Sequence, residues 1–439
     1  MRRMQIRTFG HHWRLFPMLC VGLAVVLTAG TAAVATRRPV AVARAGHDRA
    51  HPRAAAGAPA GTSAADAAVR LQALLGQHSV LAADLMRSRI RGDDSFVQAA
   101  DAALGENTDA MSDLIGQLFG AATANKFEPM WSEHVVALVA YAAAVADQDA
   151  AARAHAHAEL VEYEEDLADF FAGASHGRLP DAAARAAVRM HVDHLTMQAD
   201  AYAAGDYATA DRLYREGYQH TYDLGLTLAD ALLPARDRAT LRQPIWRLRS
   251  QLGRSLAEHA VLVEDVTRAA VTNTADFDAA AAMINGNTRD LAAAVDTLFG
   301  ASVAKRFQAQ WAAHVEQLVA YASATAAGQP ARQQQARAAL LNFERGAAAL
   351  LAPATGGRMT AAGLSAALNE HDQMLMRHAD AYAAKDYKGA HDLADQTYEH
   401  MFELARGLAD GFGAQVAARL PRGGPETGQG GRADVVEKR

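Results

Sequence analysis

Apolar positions along this chain recur at helical spacing. From Phe127, the residues Met130, Trp131, His134, Val135, Leu138 and Tyr141 follow at steps of three, four and seven. That spacing puts them on one face of a helix, so His134 points into an apolar interior. The stripe returns from Phe307 to Tyr321, where Phe, Trp, His, Leu and Tyr keep their places. Around the first copy the pattern predicts helices over about 66–90, 94–118, 121–147, 150–174, 180–204 and 207–232. Gly92-Asp93, Gly120, the stretch from Asp147 to Asp149, that from Gly177 to Pro180, and Gly205-Asp206 separate them. Short connections predict that successive helices pack antiparallel as a bundle.

Self-comparison extends the match. Ala201 to Tyr207 (AYAAGDY) pairs with Ala381 to Tyr387 (AYAAKDY), Leu118-Phe119-Gly120 with Leu298-Phe299-Gly300, and Asn107-Thr108 with Asn287-Thr288. The offset is 180 residues, and 181 near the start of the repeat. The expected fold is therefore all-α, as two tandem homologous helical bundles of about six helices each, over residues 66–234 and 245–413. Pro234 and Pro244 limit helix at the junction.

Composition narrows the class. Of 439 residues, 51% are hydrophobic and only 6% aromatic, which favours helix over sheet. A net charge of -6 without a basic block excludes a nucleic-acid footprint. The single cysteine, Cys20, lies in the N-terminal apolar run, so disulfides and thiolate metal sites are excluded from the remainder. Residues 1–35 carry Arg2, Arg3, Arg7 and Arg14, then an apolar run from Leu15 to a small-x-small Ala33-Val34-Ala35. This reads as a signal peptide. The run is also long enough to act as a membrane anchor, with Arg37 and Arg38 behind it. Either reading puts the bulk of the chain outside the cytoplasm, with membrane contact only through this segment. Residues 36–65 read as a disordered linker and 414–439 as a loose tail.

The repeat also sorts the histidines. Four positions coincide: His78 with His259, His134 with His314, His191 with His371, and His220 with His400. His155, His157, His176, His194, His378 and His391 have no match and read as mostly surface or incidental. Each retained histidine lies on the apolar stripe of a different helix, and Glu164, matched by Glu344, lies on that of a fifth. A buried polar group without a partner costs roughly 1–3 kcal/mol. Four imidazoles and a carboxylate per repeat must satisfy one another, the backbone, water or a metal. Neutral imidazole suits Cu, Zn, Fe or Ni, and helix bundles build such sites from facing helices. The metal set expected is His78, His134, His191, His220 and Glu164 in one repeat, and His259, His314, His371, His400 and Glu344 in the other. Tyr141, Tyr202, Tyr218 and Asp200 are candidates to orient the imidazoles. A bis-histidine haem is the weaker cofactor reading.

The bland alternative is a set of core histidines, each bonded to a Tyr, a Glu or a carbonyl. No H-E-x-x-H, ferritin-type E-x-x-H pair or C-x-x-C supports the metal reading. Trp131 and Trp311 read as core filler, Asn107 and Asn287 as helix caps, and Asp206 and Asp386 as N-caps. Gly173 to Gly177 matches G-x-S-x-G, but no strand precedes it, so it reads as a helix–helix turn.

The combination of His78, Trp131 to Tyr141, Gly205-Asp206-Tyr207 and Arg215-Glu216-Gly217-Tyr218 resembles an uncharacterised exported bacterial all-helical repeat family. The resemblance covers each repeat but not the ends. Members are often co-labelled with copper amine oxidase-type modules. That enzyme's cofactor tyrosine follows an asparagine, and no Asn-Tyr occurs here, so the activity does not carry over and copper is a mild hint. The function expected is an exported metal-binding protein with one His-rich buried site per repeat, for storage, delivery, sensing or redox. The other reading is a non-catalytic envelope scaffold or ligand-binding module.

Overall fold

The computed structural model describes residues 63–417. The expected signal or anchor, most of the linker and most of the tail lie outside the described residues. Thirteen α-helices and no strand occur among those residues. They are α1 (Ala64–Arg91), α2 (Asp94–Phe119), α3 (Ala121–Asp147), α4 (Ala150–Ala174), α5 (Asp181–Ala203), α6 (Tyr207–Leu232), α7 (Ala235–Leu241), α8 (Pro244–Thr272), α9 (Phe277–Phe299), α10 (Ala301–Ala326), α11 (Pro330–Leu351), α12 (Ala361–Ala383) and α13 (Tyr387–Ala417). A 3-10 turn, Ala352–Thr355, follows α11, and α13 is interrupted at Gly413. The fold is all-α, as the periodicity predicts.

Local chemistry sets the helix ends. The side chains of Ser63, Asp93, Asp149 and Asp206 accept hydrogen bonds from backbone N–H groups of the following first turn. Gly92 ends α1 in the left-handed region, at φ 74°. Pro234 and Pro244 do not remove helix from the junction. They stand at the starts of α7 and α8, where a missing N–H costs nothing.

The long helices α1 and α8 are the hubs. α1 packs on α2, α3, α5 and α6, and α8 packs on α9, α10, α12 and α13. α6 approaches α1 closely because residue 225 is glycine: a Cβ there would lie 2.6 Å from Gln72 Cα. The first and second halves share one hydrophobic core. Tyr218 of α6 donates to the Arg254 carbonyl at 3.1 Å, and Tyr398 of α13 donates to the Ala73 carbonyl at 3.0 Å. These are sequence-matched donors reaching sequence-matched acceptors in the opposite half. Among the described residues one helix, α3, is long and apolar enough to cross a membrane; Trp131 and His134 lie on its buried face.

Candidate metal centre

α1, α3 and α5 pack on one another, as do α8, α10 and α12. Their inward stripes bring together His78, His134 and His191 in the first half and His259, His314 and His371 in the second. In each group three ring nitrogens, one per residue, lie within 4.8 Å of one another. None of the six residues is more than 4% exposed. The Nε2 atoms of His78 and His134 are 3.0 Å apart.

Hydrogen bonds fix part of the proton arrangement. His134 Nδ1–H donates to the Trp131 carbonyl, and His314 Nδ1–H donates to the Trp311 carbonyl at 3.0 Å. Each therefore presents an Nε2 lone pair when neutral. Both nitrogens of His191 and of His371 lack a partner, as do His78 Nδ1 and His259 Nε2. Burial pushes His134 down to about 3 and His314 to about 4, against the raising effect of their carbonyl contacts. Burial also holds His78, His191, His259 and His371 well below the ordinary imidazole value, with neighbouring histidines adding to the effect. All six are neutral near pH 7, the state that binds metal. Orphaned nitrogens, on two rings of the first triad and on all three of the second, converge with their neighbours from three helices, which fits a transition-metal ion better than a set of satisfied core histidines.

The fourth histidine of each repeat goes elsewhere. His220 donates through Nε2 to the Ala187 carbonyl at 2.8 Å, and His400 to that of Ala367 at 3.0 Å. Backbone acceptors on the neighbouring helix satisfy them, so they do not join the converging sets. Glu164 and Glu344 are buried but outside those sets as well. Burial raises Glu164 to about 7, and both Glu344 oxygens accept from Asn369 at 3.1 Å. The tyrosines expected to orient the rings bond elsewhere. Tyr141 meets Asp200, Tyr202 meets Asp276, and Tyr218 reaches Arg254.

The groups that touch the rings are others. Trp131 lies 4.5 Å from His78 and Trp311 4.8 Å from His259, centroid to centroid. The Trp311 indole N–H donates to His259 Nδ1 at 3.1 Å. Tyr163 stacks on His134 and Phe343 on His314, both at 4.3 Å. Asn107 and Asn287 stand inside α2 and α9, not at caps. Asn107 donates to the Leu74 carbonyl and Asn287 to the Ser255 carbonyl, four residues before His78 and His259. Asp372, next to His371, places Oδ1 3.4 Å from His314 Nε2. Its matched position is Val192, so filtering for repeated residues could not find it.

The triads are closed. The void beside His78, Trp131 and His191 is only about 10 Å³, at the lower limit for one water. A much larger cavity, about 340 Å³, lies between the halves instead and is lined by Asp84, Glu264, Tyr398, His378 and His391. His378 and His391 are thus not surface residues. The rings of His194 and His220 lie 5.6 Å apart, and His194 is likewise part-buried. An unmatched residue can thus fill interior space: His378 and His391 face the cavity between the two halves, and His194 packs on α6.

No family model, no curated protein and no solved structure matches the chain.

Proposed function

We propose that this protein holds transition-metal ions, one at each histidine triad. The observation that carries this reading is the convergence of three buried, neutral imidazoles, achieved twice, with unpartnered nitrogens on two of the rings in the first triad and on all three in the second. A histidine kept only for packing would be expected to spend its nitrogens on carbonyls, as His220 and His400 do. His78, His134 and His191 would hold one ion, and His259, His314 and His371 the other. Bound there, an ion would supply Lewis acidity or redox chemistry. The protein's own contribution is to fix three rings, exclude water and keep the nitrogens deprotonated.

The closed surroundings favour storage, delivery or sensing of the ion over turnover of an organic substrate, which has no room beside the first triad. Zinc, copper and iron all accept imidazole nitrogen, and the donor set does not choose between them. The arginine-led apolar run before Ala35 supports an extracytoplasmic setting.

The test is metal content of the full chain, purified without a histidine tag and dialysed against buffer containing zinc, copper or iron. Two equivalents per chain are expected in the wild type. One is expected after His134→Ala or His314→Ala, and none after both. Wild-type protein that retains no ion at micromolar free metal overturns the reading and leaves a scaffold with polar core rings. A Soret band in purified protein would replace the ion by haem.

A further inference from the structure

The two triads differ at one corner. Asp372 is fully buried beside the second triad, and the first has Val192 at the matched position. Neither Asp372 oxygen has a partner at hydrogen-bonding geometry, although Glu344 lies beside it. Oδ1 faces His314 Nε2 at 3.4 Å. Because His314 spends its Nδ1–H on the Trp311 carbonyl, Nε2 presents a lone pair. Burial and the neighbouring Glu344 hold the Asp372 carboxyl protonated in the metal-free protein, so an ion between Oδ1 and Nε2 would take the place of that proton and be met by two lone pairs in a dry interior.

The separation identifies what belongs between them. An O–H···N or N–H···O bond closes to roughly 2.7–3.2 Å, so 3.4 Å is too long. Ligands about 2.05 Å from a tetrahedral ion lie about 3.3 Å from one another along the tetrahedron's edge. We propose that Asp372, whose oxygens lie outside the 4.8 Å grouping of the three ring nitrogens but face His314, closes in from that side as a fourth metal ligand, which makes the second triad a three-histidine, one-aspartate site and the tighter of the two for divalent ions. This rests on the metal reading above and goes beyond it by making the sites unequal.

Charge gives the same ranking. The cost of burying an ion grows with the square of its charge, so a divalent ion costs about four times as much as a monovalent one. Asp372 supplies one negative charge within ligand distance. The first site meets the ion with neutral imidazoles, and its neighbours include Leu75 and Val188.

The experiment is a competition titration of metal-free, full-length protein with Zn²⁺ against a chromogenic chelator, with Co²⁺ visible spectra in parallel. Wild type is expected to show two sites whose affinities differ by about 10–100-fold or more. Asp372→Val should remove the tighter class and leave two weak sites. Val192→Asp should add a second tight site. Asp372→Asn keeps the volume and removes the charge, so it should behave like the valine variant even if the latter folds poorly. The Co²⁺ bands of the tighter site should be lost with the carboxylate. Two equal sites in wild type, or a tight class that survives both Asp372 variants, overturns the inference and leaves the triads standing. No Zn²⁺ bound at either site overturns the metal reading itself.

Discussion

His78 and His134 face each other through their Nε2 atoms at 3.0 Å. His134 has already placed its one proton on Nδ1, toward the Trp131 carbonyl. In metal-free protein the His78 Nε2–H must therefore donate to His134. A metal ion replaces this bond, and the expected signature is a change of tautomer at His78. In ¹⁵N-labelled protein, zinc should move the proton of His78 from Nε2 to Nδ1 and leave that of His134 in place. Unchanged His78 nitrogen shifts at saturating zinc would show that ions bind elsewhere.

The same pair shows what the sequence makes legible. His78, His134 and His191 are readable because each lies on an apolar stripe of period 3.6 and each recurs in the second repeat. Stripe and recurrence fix the direction of a side chain, not its height along the bundle. That is why His220 is indistinguishable from the other three until α5 is seen to offer it the Ala187 carbonyl. Asn107 reads as a cap because Asn-Thr favours helix starts, yet it lies in the middle of α2, where packing on α1 decides its role. Asp372, His378 and His391 were invisible to a filter that keeps only shared residues.

Burial of uncharged imidazoles sets the acid response of the metal-free protein. An unfolded histidine takes its proton near pH 6.5, whereas His134 in the fold waits until about 3 and His314 until about 4. Between those values the unfolded chain binds more protons. Each ring then weakens folding by about 1.4 kcal/mol per pH unit. Its contribution is whole above pH 6.5 and is lost as the pH falls toward the folded value. Asp84, raised to about 6, and Asp211 and Glu164, raised to about 7, act in the opposite sense and gain stability as the pH falls. Glu264 and Asp372, held well up by burial, and Asp200, Asp223 and Glu344 act the same way, but ten depressed imidazoles, the six of the triads with His194, His220, His378 and His391, stand against these eight carboxyls. Melting followed by circular dichroism is expected to peak near neutrality and fall steadily from pH 6 to pH 4. A flat profile over that range would contradict burial of the six neutral rings.

Close contact between α1 and α6 depends on a missing side chain. The Cβ of an alanine at position 225 would lie 2.6 Å from Gln72 Cα and 2.9 Å from its backbone nitrogen. Backbone cannot rotate away, so the two helices would have to separate. Gly225→Ala is expected to cost about 1–3 kcal/mol, although alanine is the better helix former. Because α1 carries His78, metal affinity at the first site should fall with stability while the second site keeps its own. Urea denaturation and the zinc titration check both. A stabilised variant would mean that the contact is looser than 2.6 Å implies.

Arg87 joins the halves at the greatest depth of any arginine side chain described, with 1% exposure. It pairs with Asp211 at 2.9 Å, donates to Gln198 Oε1 at 2.9 Å and stands over the Tyr214 ring. Asp265 of α8 approaches it at 3.9 Å. In the second repeat His391 and His378 occupy the positions of Asp211 and Gln198, so Arg268 turns to Asp265 and Asp276, at 2.7 and 2.6 Å. One aspartate thus faces both arginines across the junction. Arg87→Ala leaves Asp211 buried without its cation and is expected to cost about 3–5 kcal/mol. Arg87→Met combined with Asp211→Leu removes both charges and keeps the volume, so it should recover most of that loss. Equilibrium urea unfolding of the two variants gives the comparison. If the single alanine change costs less than about 1 kcal/mol, water reaches Asp211 and the junction is not the dry, charge-matched interior described above.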